Sequence, residues 1–537
     1  MVYVADRGET TQLYLRPLDR PEFTAIPGTD GAYHPVFSPD GSEVAFATPG
    51  YLKKVSLPAG EPRTLCETKV LTSLTWGSDN RLYFDRHLQL SRIPDDGGRP
   101  ELIGYPAVSL FALPEGRGLL LTDGSGGTWG RMDFWPVAHF SLQGGATTLL
   151  ESGYGARYLS TGHLLFVRRG QAYTVPFSLE RLELAGRVVP VVEHVWIDSA
   201  WAVSQLSVSD EGTLVYARGG DWARTIPTWI DRQGREEALA LPPQVYGPFK
   251  LSPDGRRLAI QVTDPTSQIY VYDLDRRTFA RLTLEGINMF PIWTADGTGV
   301  ICSRAFPAPK GTTSVGETTR TELVRQAVDG SGDVQRLIGA EDLAGAEPVG
   351  PLLVPENVSA DGTFLALVYY HPSRNGDIWV FPLDGEGEAR PLVATEHVEG
   401  FASPSPDGRW FAFMSDKTGR AEVFVRPFPE GDQVWQISSA GGEAVRWSPQ
   451  GDEIFYRDGR RLMAVPVATQ PDFRAGTPRV VFETDFLNCN GMSYDVAPDG
   501  QRFLVLKPVT AGEPITELEV VVNWFEELKE KMREAGQ

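Results

Sequence analysis

Leu251-Ser252-Pro253-Asp254-Gly255-Arg256-Arg257-Leu258-Ala259-Ile260 joins a turn-forming tetrapeptide to the start of an apolar alternation. Proline fixes φ near the value that the first central position of a type I turn requires, and aspartate suits the second. Glycine then takes left-handed backbone at little cost and forms the bulge that restores strand twist. Leu258 and Ile260 follow on one face. The stretch reads as a β-hairpin.

The tetrapeptide recurs. Ser-Pro-Asp-Gly stands at 38–41, 252–255 and 405–408, with looser copies at 294–297, 359–362, 448–451 and 497–500. Degenerate copies lie at 77–80, 113–116, 160–162 and 209–212, eleven in all. The ten intervals from Gly41 to Gly500 average about 46 residues, the size of one four-stranded propeller blade.

Strand patterning agrees. After Gly408, Trp410, Ala412 and Met414 alternate with Phe411 and Phe413, so both faces are apolar and the sheet lies between neighbouring sheets. Third strands follow at 268–272, 377–381 and 422–426, and a polar turn at 273–278 leads to a fourth at 279–283. One such blade cannot bury both faces, so blades must stack, and closure into a ring removes exposed ends. The expected fold is all-β: two tandem six-bladed β-propellers of four-stranded antiparallel blades, with a short C-terminal helix.

Eleven turns plus the opening segment make about twelve blades, too many for one ring of the usual four to eight. The proline-rich stretch 241–248 is the expected seam, giving a first propeller over 1–243, a second over 244–523 and a helix or tail over 524–537. The amphipathic segment 524–532 is expected to cap the last blade. Residues 2–5, 12–17 and 22–26 read as the second, third and fourth strands of a blade whose first strand is missing. Either the natural chain starts earlier, or the ring accepts a three-stranded or strand-borrowing blade.

Composition narrows the function classes. The formal charge of −20 repels phosphate backbones, and basic residues occur only as isolated pairs such as Arg256-Arg257, Arg276-Arg277 and Arg460-Arg461. Nucleic acid is therefore not an expected partner. Cys66, Cys302 and Cys489 are too few and too scattered for a disulfide framework or a cysteine-rich zinc site. The opening MVYVADRGETTQLYL has no signal-peptide pattern, and no run of 18 apolar residues occurs. As written, the chain is expected in the cytoplasm, with no membrane insertion.

No chemistry-bearing motif stands out. Gly-x-Ser-x-Gly on a strand-turn-helix is not found, and the glycine-rich runs at 123–127 and 329–333 read as hairpin turns. His34, His87, His139, His163, His194, His371 and His397 lack the spacing of zinc ligands on one helix. No catalytic residue, cofactor or metal is expected. A metal gathered from several blades, or paired carboxylates in a channel, stay open as alternatives. Partner recognition is expected at Trp129, Arg131 and Trp135 in an enlarged loop, at Trp201 and Trp222 near the fifth blade, and at an insertion over 305–320.

The turn with its following Leu-Ala-Ile or Phe-Ala-Phe resembles the TolB-type, WD-like propeller repeat of bacteria. The order of the segments 5–8, 12–19, 52–55, 164–168, 422–429, 446–448, 453–456 and 462–467 resembles the C-terminal propeller region of bacterial eukaryotic-like serine/threonine protein kinases. That resemblance implies a sensor or scaffold outside the cytoplasm that binds a protein or small ligand. The glycine-rich loop with Val-Ala-Ile-Lys, the His-Arg-Asp loop and Asp-Phe-Gly of the kinase domain are not found, so phosphotransfer is not expected. A free-standing periplasmic TolB-like envelope component is the alternative; a hydrolase or lyase with a site in a propeller channel is the second.

Overall fold

The computed structural model describes every residue except 8–9, 21, 59, 69–70, 87–88, 125–134, 199–202, 220–223, 264–265, 307–319, 344–351, 371–375, 386, 487–491, 510–514 and 537. The chain is all-β, built of antiparallel sheets, with one α-helix among the described residues, Trp524–Glu534.

The repeated turn shows why serine opens it. In the 252–255 copy the Gly255 N–H donates to the Ser252 carbonyl at 2.8 Å, with Gly255 at φ +68°. The Ser252 hydroxyl donates to Asp254 Oδ1 at 2.5 Å and accepts the Arg257 N–H at 2.9 Å. One hydroxyl thus pins the aspartate and receives the first N–H of the returning strand. The copies at Ser38, Ser359 and Ser405 make the same serine–aspartate bond at 2.6 Å, and Thr294 substitutes for serine at 2.6 Å. These bonds hold the Asp40 and Asp296 carboxyls down to about 2.

The chain falls into two compact units. One comprises 1–126, 131–221 and 514–537; the other comprises 127–130 and 222–513. The division expected after residue 243 is therefore not where the sheets part. Strands Thr225–Asp231 and Glu236–Ala238 precede that seam, yet Thr225–Asp231 pairs along its length with Arg502–Pro508. The proline-rich stretch 241–248 lies inside the second unit, because hydrogen-bonded edges outweigh local turn signals in setting a domain.

In the second unit six sheets follow one another. Their innermost strands are Tyr246–Leu251, Ile287–Trp293, Leu352–Val358, Glu399–Pro404, Glu443–Trp447 and Tyr494–Val496. Each packs beside the next, and the last packs beside the first, so the ring is closed. Six hydrophobic clusters fill the six gaps between blades; Trp229, Leu504, Phe249 and Ile260 fill the closing one. The closing blade has strand order 236–238, 225–231, 502–508, 494–496, two strands from each end of the unit. Such a blade clasps the ring without leaving a free edge.

The first unit has the same grammar with shorter blades. Val2–Arg7, Thr10–Leu15 and Thr24–Ala25 form a three-stranded sheet, and a four-stranded one follows over 33–67. The long strand Glu101–Ala112 pairs with Gln89–Pro94 near its start and with Leu119–Asp123 near its end, fusing two blades into a seven-stranded sheet. The sheet of Leu206–Val208 and Leu214–Tyr216 is completed by Glu519–Val521, from the far end of the chain. The helix Trp524–Glu534 then lays Trp524, Leu528 and Met532 against Val191, Val195, Leu206 and Leu214. It caps the first unit, not the last blade of the second, because the strand that leads into it belongs to the first unit. Among the described residues no helix is long and apolar enough to cross a membrane.

Candidate functional site

The innermost strands share a defect that positions side chains. Each inner strand of the first five blades of the second unit shifts register about three residues before the turn: at Tyr246/Phe249, Met289/Ile292, Pro355/Asn357, Gly400/Ser403 and Glu443/Arg446. At three of these bulges a non-glycine residue, Phe290, Phe401 or Ala444, sits at φ between 53° and 55°. A bulge re-aims the side chains that follow it. The position two residues before the turn serine, or its Thr or Ala equivalent, is Lys250, Ile292, Asn357, Ser403, Arg446 and Asp495 around the ring.

Three of these six are charged and sit together, Arg446 and Asp495 buried and Lys250 half-buried. The Lys250 ammonium donates to Asp495 Oδ1 at 2.9 Å, and the Leu251 N–H donates to Asp495 Oδ2 at 2.8 Å. Arg446 Nε lies 3.8 Å from Asp495 Oδ1, beyond hydrogen-bond reach. Nε and Nη1 of Arg446 have no hydrogen-bond partner, although the side chain is only 5% exposed. Glu356, buried on the third inner strand, lies near Arg446, Lys250 and the Phe401 N–H.

Lys250, Glu356 and Arg446 stand on the first, third and fifth blades. These blades are not neighbours, so their side chains meet only across the axis of the ring. With Asp495 they meet at that axis. Burial pushes the Glu356 carboxyl up to about 7, against the pull of Arg446, Lys250 and the Phe401 N–H. Burial, then the nearby Arg446 charge, brings the Lys250 amine down to about 8, with Asp495 opposing. Tyr370 is raised by burial and then by Glu356. Neutral neighbours tie the inner strands together: Asn357 Nδ2 donates to the Ala402 carbonyl at 2.7 Å, and Trp293 Nε1 donates to the Lys250 carbonyl at 2.9 Å. Four ionisable groups converging from four blades are costly to bury and are the usual mark of a working site.

A depression of 370 Å³ is lined by Thr418, Gly419, Arg420, Glu422, Gln436 and Ser439. Its buried carboxylate, Glu422, already accepts the Ser438 hydroxyl, the Gly441 N–H and Arg420 Nε, so it is saturated within the fold.

The residues singled out by sequence fall elsewhere. Trp129, Arg131, Trp201 and Trp222 lie outside the described residues, as do 307–319 of the insertion, Cys489, His87 and His371. Trp135 is buried in the first unit, packed with Val108, Tyr154 and Val167. The described histidines are dispersed; burial brings His34 down to about 4, and His139 Nε2 hydrogen-bonds to the Arg117 carbonyl at 2.8 Å. No group of three His, Cys, Asp or Glu among the described residues is placed to hold a metal. Sequence reasoning missed Lys250, Glu356, Arg446 and Asp495. Aligning the repeats on their turns would have put Lys250, Arg446 and Asp495 in one column beside Ile292, Asn357 and Ser403.

The fold and site together define a propeller protein with four ionisable groups meeting at the axis of its second unit. No protein-family model and no curated protein matches the chain. Similar solved structures include a TolB-type protein from Agrobacterium tumefaciens, at 18% identity and TM-score 0.41, over 53% of this chain and 98% of that one. TolB from Acinetobacter baumannii is similar at 14% identity and TM-score 0.36, over 68% and 81% respectively. The tricorn protease is similar at 12% identity and TM-score 0.34, over 89% and 57%. The fold rests on the chain's own sheets and their closure, not on these likenesses.

Proposed function

We propose that the chain is a non-catalytic propeller binding module, taking a protein or small-molecule ligand into the channel of its second ring. The observation that supports this reading is Arg446, a buried guanidinium with two unpartnered donors facing an axis reached by side chains from four blades. In a sensor of the kind seen in membrane serine/threonine kinases, occupancy of such a channel would be reported to an attached domain. A TolB-like component of an envelope complex would use the same channel to hold a partner.

The test is a thermal-shift screen of metabolites and short peptides on the full chain, beside Arg446→Gln. A ligand that stabilises the wild type, is recovered unchanged by mass spectrometry and fails to stabilise the variant is the expected result. A screen whose hits all stabilise both proteins equally would refute the channel as the site.

One observation favours a second reading. Glu356 and Lys250, at about 7 and about 8, are a carboxyl and an amine poised to exchange protons near neutrality in one channel. A hydrolase or lyase would use that pair as acid and base. Recovery of a chemically altered ligand, lost in Glu356→Gln, decides for it.

A further inference from the structure

We infer that the channel of the second ring holds a carboxylate group on the guanidinium of Arg446, beside the Lys250 ammonium. The inference rests on the channel being the binding site and adds the chemical class of what enters it.

The guanidinium carries the argument. Its Nε and Nη1 donors are buried and without partners, and Asp495, the anion nearest to it in the same channel, is engaged elsewhere. Asp495 gives one oxygen to Lys250 at 2.9 Å and the other to the Leu251 N–H at 2.8 Å. The distance of 3.8 Å from Nε to Asp495 leaves that donor open to another acceptor. Nε and Nη1 lie on different edges of the guanidinium, so each offers a separate N–H to an anionic oxygen, and charge-assisted bonds of this kind are the strong ones. Lys250 beside it is partly exposed, at 18% of its side chain.

Charge selects among anions. Lys250 and Arg446 against Asp495 leave one positive charge while Glu356 keeps its proton, as its raised value of about 7 favours. A monoanion neutralises the channel; a phosphate dianion overfills it and would sit near two acidic side chains. The Glu356 carboxyl, when protonated, can donate to a bound carboxylate, so ligand and proton should enter together. A small free acid and the C-terminal carboxylate of a peptide present the same chemistry.

Calorimetric titration of the full chain distinguishes these sources. The probes are sodium propionate, the tripeptide Ala-Ala-Ala with a free C-terminus, the same peptide amidated, and inorganic phosphate. The expected result is binding of propionate or of the free-terminus peptide, with no binding of the amidated peptide. Propionate binding identifies the free acid as sufficient; binding of the free-terminus peptide alone identifies the chain terminus. Arg446→Gln should weaken binding at least about tenfold, the loss of one charge-assisted pair. Arg446→Lys, which keeps the charge but replaces two separate donor nitrogens with one, should recover only part of it, and exposed Arg276→Gln should change nothing.

Phosphate binding more tightly than either carboxylate would overturn the assignment. So would wild-type protein that takes up no carboxylate while a screened ligand still depends on Arg446; that result leaves the channel reading standing. If Arg446→Gln and Arg446→Lys leave every bound ligand unaffected, both the assignment and the channel reading fall, and water alone satisfies the guanidinium.

Discussion

Asp495 bridges the last inner strand of the second ring to the first, accepting the Lys250 ammonium at 2.9 Å and the Leu251 backbone N–H at 2.8 Å with its two oxygens. Lys250 and Asp495 are 245 positions apart in the chain. The bond therefore fastens the ring at its axis, while the pairing of Thr225–Asp231 with Arg502–Pro508 fastens it further out. The same carboxylate balances the cations that face the channel.

Removing that carboxylate should loosen the ring. Asp495→Ala takes from Lys250 and Arg446 their nearest counter-ion and from the Leu251 N–H its acceptor, at a cost of about 3 kcal/mol or more. Asp495→Asn keeps a carbonyl acceptor and should cost less. Urea denaturation of the two variants against wild type checks this; a loss under about 0.5 kcal/mol for the alanine variant would show that the clasp is not structural.

Glu356 should make stability fall as pH rises. Its folded value of about 7 lies above the ordinary 4.5, so the folded state holds the proton more tightly than the unfolded chain. Stability declines from about pH 4.5 to about 7 and is flat with respect to this group above that. The groups that face it are Lys250, Arg446, Tyr370 and the Phe401 N–H. Glu356→Gln should abolish that part of the slope and raise stability at pH 8. A variant whose pH–stability curve overlays the wild type contradicts the assignment.

The helix should matter to the first unit alone. Leu528 is buried against Val191, Val195, Leu206 and Leu214, and Leu528→Ala should cost about 3 kcal/mol. Deleting 514–537 also removes Glu519–Val521 from its sheet. Calorimetric unfolding should show the transition of the first unit shifted down and that of the second in place. A shift of both transitions, or of neither, argues against a chain divided into these two units.

The turn copies allow a gain as well as a loss. Ser405→Ala removes the bond to Asp407 and an acceptor for the Trp410 N–H, at about 1 kcal/mol. At the closing blade the repeat has Ala497, and the Asp499 carboxylate there lacks the hydroxyl that its counterparts use. Ala497→Ser should restore it and stabilise by about 0.5–1 kcal/mol. Denaturant midpoints decide the point, and a serine variant less stable than wild type would mean that the hydroxyl is buried without its bond.

Much of the fold was legible because its signals are local. A Ser-Pro-Asp-Gly turn is specified by four consecutive residues, and Trp410 to Met414 show by alternation that both faces are covered. The three strands within 2–26 were readable for the same reason. The seam was misplaced because prolines at 242, 243 and 248 are a local sign, whereas the edge that decides the boundary is a pairing between Ile230 and Phe503. The meeting of charges at the axis was not legible at all. Lys250, Glu356, Arg446 and Asp495 are unremarkable charged residues within their own strands.

By itself, then, the sequence of this protein determined the blade: its period, its hairpins and its two apolar faces, all properties of residues near one another along the chain. Tertiary structure alone decided which strands close the ring of the second unit, which unit the C-terminal helix belongs to, and which charges meet at an axis. The reason is that closure joins segments hundreds of residues apart, and no nearest-neighbour preference encodes the partner; only the ring, once formed, brings Arg446 into the company of Glu356 and Lys250.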